Sequence, residues 1–170
     1  MDFLTLARAR YSCRKFDTAK TVEQEKIDKI IEAGMIAPTA VNKQPFKIFE
    51  INHDKIEKLK KATPFTFDAP LFLVIGANKN EAYVRNFDNK NFAEIDATIV
   101  ATHMLLEIQD LGLGATWVAH FDEKVLKTEF PQLNDYNIVA IFPIGYPAKD
   151  AEINPLHYQS KPKEKLHEQI

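Results

Sequence analysis

Three short stretches carry side chains that could do chemistry, and none of them presents an acid–base pair. Arg10-Tyr11-Ser12-Cys13-Arg14-Lys15-Phe16 gathers two guanidiniums and a hydroxyl at the end of an expected helix. Guanidiniums fork onto phosphate oxygens through paired N–H donors, so the stretch reads as a compact anion clamp, with a solvated basic turn as the plainer alternative. Pro38-Thr39-Ala40-Val41-Asn42-Lys43-Gln44-Pro45-Phe46 sets a hydroxyl and two amides between prolines. Such groups can read a uracil-like edge of alternating donors and acceptors, although an ordinary polar turn has the same composition. Gly112-Leu113-Gly114-Ala115-Thr116-Trp117 has a Gly-x-Gly but no third glycine at the dinucleotide spacing, and it leaves a helix rather than entering one. It is read as a helix cap followed by a tight turn.

Other chemistries lack support. His53, His103, His120, His157 and His167 are scattered without a metal-ligand spacing, and no Gly-x-Ser-x-Gly elbow or Walker loop occurs. No metal is expected. With 22 basic against 24 acidic residues the formal charge is -2, so there is no broad basic field for a nucleic-acid backbone or an anionic membrane. Any bound anion must be held locally. Cys13 is the only cysteine, which excludes an internal disulfide and suits a reducing compartment. Met1 to Thr5 lacks the basic and apolar pattern of a signal peptide, and the apolar runs fall far short of the roughly 20 residues that a membrane helix needs. A cytoplasmic protein is expected.

These stretches must be positioned by the elements between them. Asp2 can cap a first helix running through Arg10; Thr21 and Gln24 stand at capping-box spacing for a second, which Gly34 would stop. Phe46 to Ile51 reads as a strand, and Asp54 would cap a short helix to about Lys61. Leu71 to Ile75 and Ile138 to Ile144 are continuously apolar, as expected of strands covered on both faces. A long helix from about Phe92 to Leu111, ended by Gly112, carries Ile99, Val100, His103, Met104 and Leu106 and should be the buried central helix. Ala115 to Ala119 is a short strand, and Asp122 caps another helix. Beyond Tyr146, the chain has Pro147, Pro155 and Pro162 and no apolar period, so an extended tail is expected, laid across a partner subunit. The 170 residues suit one domain, 1–170, of α+β or three-layer class.

Taken in order, the arginine–serine loop, the Pro38 to Phe46 loop, the Leu111 to Asp122 segment and the Ile141 to Pro147 strand end resemble the nitroreductase family of FMN enzymes. The similarity runs over nearly the whole chain. It implies a three-layer α/β/α sandwich with a mixed, mainly antiparallel sheet, in a homodimer whose C-terminal arm, about 147–170, lies on the partner. It further implies that Arg10 and Ser12 hold the FMN phosphate, with Tyr11 also among the cofactor-binding residues. Arg14 either joins them or lies near flavin N1 and O2, where a cation stabilises charge on the reduced ring. Pro38, Thr39, Ala40, Asn42 and Gln44 would line the flavin, and Trp117, Val118, Ala119 and His120 would pass beside it. The Ala119 backbone N–H is the implied donor to flavin N5, and Lys161 and Lys163 would reach the phosphate.

The implied activity is ping-pong hydride transfer from NADH or NADPH to a small organic acceptor such as a nitroaromatic, a quinone or free flavin. Relatives with other flavin chemistry, including dehalogenation, azoline oxidation and flavin cleavage, or a non-catalytic flavin-binding dimer, are the alternatives. The chain departs from the family pattern in three places. Thr39 replaces a serine, Ala62-Thr63-Pro64-Phe65 has no amide for the flavin pyrimidine, and the middle is too short for a covering helical insertion.

Overall fold

The structure is a computed structural model that describes residues 2–170. The two continuously apolar segments are its central strands. β2 (Leu71–Ala77) is buried at every position, and β6 (Asn137–Gly145) pairs with it antiparallel from Leu71↔Ile144 to Ala77↔Asn137. β1 (Phe46–Asn52) flanks β2, and the two-residue β5 (Gly114–Ala115) flanks β6, giving the order β1-β2-β6-β5 with every ladder antiparallel.

Period-two alternation sends the two faces of this sheet into two cores. Leu71, Leu73, Ile75, Phe142 and Ile144 face α2 (Gln24–Met35) and α4 (Ala93–Asp110), whereas Phe72, Val74 and Ile141 face α3 (Ile56–Ala62) and α5 (Glu123–Glu129). The architecture is therefore an α+β sandwich of three layers, α/β/α. α4 buries Ala93, Ala97, Val100, Ala101, Met104 and Ile108, while Ile99, His103 and Leu106 on its other side are only half-buried in one chain. Among the described residues, no helix is long and apolar enough to cross a membrane.

Several local expectations need correction. Thr21 does not cap α2; Glu23 takes that position without a side-chain cap bond, because its carboxylate accepts from the Tyr146 hydroxyl at 2.8 and 2.9 Å. Nor does Gly34 stop α2, which runs on to Met35. Gly34 is buried at the crossing with α4, where an added Cβ would meet Met104 Cγ at 3.0 Å. Asp54 lies inside a 3-10 turn, His53–Lys55, so α3 begins only at Ile56.

The Ala115 to Ala119 strand shrinks to β5 plus one bridge at Val118↔Ile141. Its ladder is interrupted where Pro143, opposite Thr116 in that register, has no N–H to donate; the Trp117 indole N–H takes the Val139 carbonyl at 3.2 Å. The polar stretch before α4 holds an element with no apolar signal, the hairpin of β3 (Val84–Arg85) and β4 (Lys90–Asn91), pinned by the Arg85–Asp88 ion pair. α1 (Phe3–Ala9) and α5 start as expected, with Asp2 accepting from Thr5 N–H and Asp122 from Val125 N–H.

Beyond β6 the tail is exposed over most of its length and has two 3-10 turns, Pro155–Tyr158 and Lys163–Lys165. Its first part is tied to its own chain. Ala148 N–H donates to Lys15 O, Lys15 pairs with Asp150, and His157 Nε2 lies 3.1 Å from Arg8 O.

Candidate functional site

The arginine loop is seated by a close backbone approach. Gly112 turns the chain out of α4 at φ +71, and the returning strand passes against the loop, where Cys13 N–H donates to Ala115 O at 2.9 Å. A Cβ on Gly114 would stand 2.7 Å from Cys13 Cβ, so only glycine lets the two segments touch. The Gly-x-Gly is thus a cap and turn, as expected, and in addition it seats Ser12 and Arg14. Phe16↔Pro147 and Asp17 N–H to Tyr146 O fasten the other end of the loop.

What this seat presents is free positive charge. Among the described residues, Arg85 is paired with Asp88, but neither Arg10 nor Arg14 pairs with a carboxylate. Arg14 only leans on the Ser12 carbonyl, at 3.3 Å. Arg10, Tyr11, Ser12 and Arg14 line a cavity of about 250 Å³ with Asn154 and His157 of the tail. Burial, followed by the neighbouring Cys13 thiol, pushes the Tyr11 phenol up to about 12, so it remains a neutral hydroxyl beside the guanidiniums.

Arg14 also opens onto a second cavity of about 200 Å³, shared with Phe65, Phe67, Trp117, Ala119 and His120. Here the single Val118 bridge matters. Val118 exchanges both backbone bonds with Ile141, at 3.0 and 3.1 Å, so alternation turns the next N–H, that of Ala119, away from the sheet. The Trp117 ring does not enter this space freely; it is held inward, edge-on to Phe142 at 5.3 Å.

The proline-bounded loop lies elsewhere. Pro45 leads into Phe46, which pairs with Ala77 at the far end of β2, whereas the arginine loop adjoins Ala115 and, through Ile144, Leu71 at the near end. The ends of the seven-residue β2 are roughly 20 Å apart, and the loops adjoin opposite edge strands. Thr39, Ala40, Asn42 and Gln44 therefore stand diagonally across the sheet from Arg10, Ser12 and Arg14. Neither arginine-lined cavity includes a residue of this loop, and Lys161 and Lys163 line neither cavity from their exposed turn.

The loop is held in an uncommon conformation. Val41, Asn42 and Gln44 all have positive φ, at 47, 54 and 49, and Val41 is β-branched and 72% exposed. Left-handed backbone at non-glycine residues costs of order 1–3 kcal/mol each and persists only where surroundings enforce it. Two side chains enforce it here. The Thr39 hydroxyl accepts from Gln44 N–H at 3.0 Å, and Asp96, from the first turn of α4, accepts from Ala40 N–H at 3.0 Å. The other Asp96 oxygen, Oδ2, is buried without a hydrogen-bond partner.

Asp96 was not singled out in the sequence, nor were Gly114 as a seat, Asn154 and His157 beside the clamp, or Phe65 and Phe67. An acidic residue in an otherwise apolar helical stripe was the one legible signal, for Asp96. A roomier hollow of about 710 Å³ along α5, lined by Glu123, Lys124 and Lys127 among others, contains none of these groups. Among the described residues, no cluster of three or more potential metal ligands occurs.

The chain is thus a three-layer α+β sandwich with unpaired guanidiniums at one corner and a strained amide loop at the other. Residues 7–63 and 55–146 match the model of the nitroreductase family, and the chain belongs to that family. Among solved structures it is similar to a nitroreductase family protein of Clostridium difficile 630, at 34% identity and TM-score 0.90, over 99% of this chain and 98% of that one. A protein of Methanothermobacter thermautotrophicus proposed to be an NADH dehydrogenase/NAD(P)H nitroreductase is 28% identical over 88% of this chain and 80% of its own length. The FMN reductase [NAD(P)H] of Bacillus subtilis is 29% identical over 57% of this chain and 46% of its own.

Proposed function

We propose that this protein is an FMN-dependent oxidoreductase that takes hydride from NADH or NADPH and passes it to an organic acceptor, a nitroaromatic, quinone or flavin, by a ping-pong cycle. The observation that carries this reading is the arginine corner, where two guanidiniums lack carboxylate partners and one of them, Arg14, shares a cavity with the outward-facing backbone N–H of Ala119. That donor set fits a phosphorylated, electron-accepting ring. Arg10 and Ser12 hold the phosphate, with Tyr11 alongside. Arg14, which lines both cavities, bridges the phosphate end and the ring end. The Ala119 N–H donates toward flavin N5, and Trp117, Val118 and His120 carry that donor past the ring.

The diagonal separation of the two loops supports a homodimer. One chain cannot bring Pro38, Thr39, Ala40, Asn42 and Gln44 to a flavin held by its own clamp, but a two-fold partner can supply them. The half-buried side of α4 gives such a partner an apolar surface. In this arrangement the tail beyond His157, with Tyr158 and Leu166 exposed, lies on the partner, and Lys161 and Lys163 are carried toward a phosphate. The lone buried thiol of Cys13 suits the cytoplasm.

Bound FMN supplies the hydride chemistry. The chain supplies position, a donor where charge changes on the ring, and the Arg14 cation to stabilise negative charge near N1. The purified protein, mixed with FMN and freed of excess, is expected to be yellow, to bleach with NADH or NADPH under argon, and to regain colour with menadione. A colourless product would refute cofactor binding; bound flavin that neither nicotinamide bleaches would instead favour a non-catalytic flavin-binding dimer.

A further inference from the structure

The second cavity has a wall that the roles above leave unused. Between α3 and β2 the chain runs Thr63-Pro64-Phe65-Thr66-Phe67-Asp68, and it is braced more firmly than a connecting loop requires. The buried Thr63 hydroxyl donates to His120 O at 2.7 Å and accepts from Phe65 N–H at 3.2 Å. This ties the segment directly to the Ala119–His120 backbone. Phe67 and Asp68 both take left-handed conformations, at φ 53 and 50. For a phenylalanine that is a sterically costly backbone, kept in place by the Ala69 N–H bond to Thr66 O at 3.1 Å.

The result is an aromatic shelf. Phe65 and Phe67 stack with centroids 5.9 Å apart and planes 30° from parallel, and the His120 ring stands edge-on to Phe65 at 5.5 Å. Phe67 packs into the core beneath, while Phe65 remains 41% exposed on the rim of the cavity that Arg14 and Ala119 share. A large apolar ring held in the open by a hydroxyl brace and strained backbone is poorly explained by stability, since burying it would be more favourable.

We propose that Phe65, supported by Phe67 and His120, is the surface on which the electron acceptor rests, and that it selects flat aromatic acceptors over non-aromatic ones. This rests on the flavoenzyme reading above. An aromatic face next to the donor end of the cavity contributes stacking and apolar contact to a quinone or nitroarene, and offers nothing comparable to a compact inorganic anion. Arg14, which lines the same cavity, adds attraction for the electron-rich oxygens that such acceptors carry.

The test is steady-state turnover of the FMN-loaded protein with NADH, comparing menadione with ferricyanide. Phe65→Ala is expected to raise KM for menadione roughly tenfold while changing that for ferricyanide by no more than about twofold, the size of one lost aromatic contact. Phe65→Tyr should restore the menadione value. Thr63→Val, which keeps the side-chain volume but removes both brace bonds, should give a smaller rise of the same selectivity. Equal effects of Phe65→Ala on both acceptors, or none on either, would overturn the shelf while leaving the reductase intact. A wild-type protein that does not turn over menadione at all would overturn the flavoenzyme reading, and the shelf with it.

Discussion

The arginine corner and the amide-loop corner solve different problems, and the structure treats them differently. At the arginine corner the backbone is relaxed: no residue from Arg10 to Phe16 has a positive φ, and the loop is positioned by packing, with Cys13 buried against Gly114. At the amide corner three of four consecutive residues from Val41 to Gln44 are left-handed, and two side-chain bonds from Thr39 and Asp96 impose that shape. Recognition by charge needs only that guanidiniums be left unpaired in a fixed place, because ionic attraction tolerates small errors of angle. Recognition by amides depends on direction, so in the function proposed above the strained backbone of the loop would serve to aim its groups.

This contrast sets the order of the mutational effects. Arg10→Ala should do the most damage to flavin binding, weakening FMN about 100-fold through loss of charge-assisted hydrogen bonds, as read by fluorescence titration. Arg14→Ala should weaken it less and instead lower the flavin potential. If both substitutions leave affinity and potential unchanged, the clamp is not where the anion sits. At the other corner, Asp96→Ala should weaken FMN about tenfold and raise proteolytic nicking between Ala40 and Gln44, since the Ala40 N–H loses its acceptor. Unaltered nicking and affinity would show that the loop needs no brace.

Val41→Asn sharpens the comparison in the opposite direction. Asparagine tolerates left-handed backbone, so the variant should gain about 1 kcal/mol, or a melting temperature higher by about 3 °C, with little change in FMN binding. A loss of stability would mean that the strain is absent. The smallest effect is expected at the latch behind the arginine corner, where the Lys26 ammonium donates to the Tyr146 hydroxyl at 2.8 Å and the hydroxyl donates to Glu23.

The Tyr146 hydrogen bond holds the Glu23 carboxyl below its ordinary value. A depressed carboxyl stabilises the fold above its unfolded-state pKa and loses that contribution as pH falls through the folded-state value. Tyr146→Phe should therefore lower the melting temperature slightly near neutrality, and the gap from wild type should narrow in acid denaturation as pH falls through the carboxylate range. A gap that widens in acid would reverse the assignment.

Much of this was legible in the sequence because it depends on local pattern. Continuous apolar runs marked β2 and β6 as central strands, and Asp2 and Asp122 announced their helices. What escaped depended on contacts between distant residues. Glu23 displaced Thr21 as the cap of α2 because Tyr146, 123 positions away, engages its carboxylate. The Arg85–Asp88 hairpin carries no apolar period, and Asp96, though an acidic residue in an apolar stripe, shows what it holds only when Ala40 is found against it. At the site, residue types pointed to the two loops, but only strand register separates them to opposite corners.

That separation is the central claim, and subunit complementation tests it most directly. Arg10→Ala and Asp96→Ala chains, each poor in bound FMN alone, are co-expressed in equal amounts and the flavin per chain is measured. A mixed dimer carries both lesions in one site and leaves the other intact, so random pairing should restore about a quarter of the wild-type flavin. No recovery above the two parent variants would contradict a site shared between two copies of this chain.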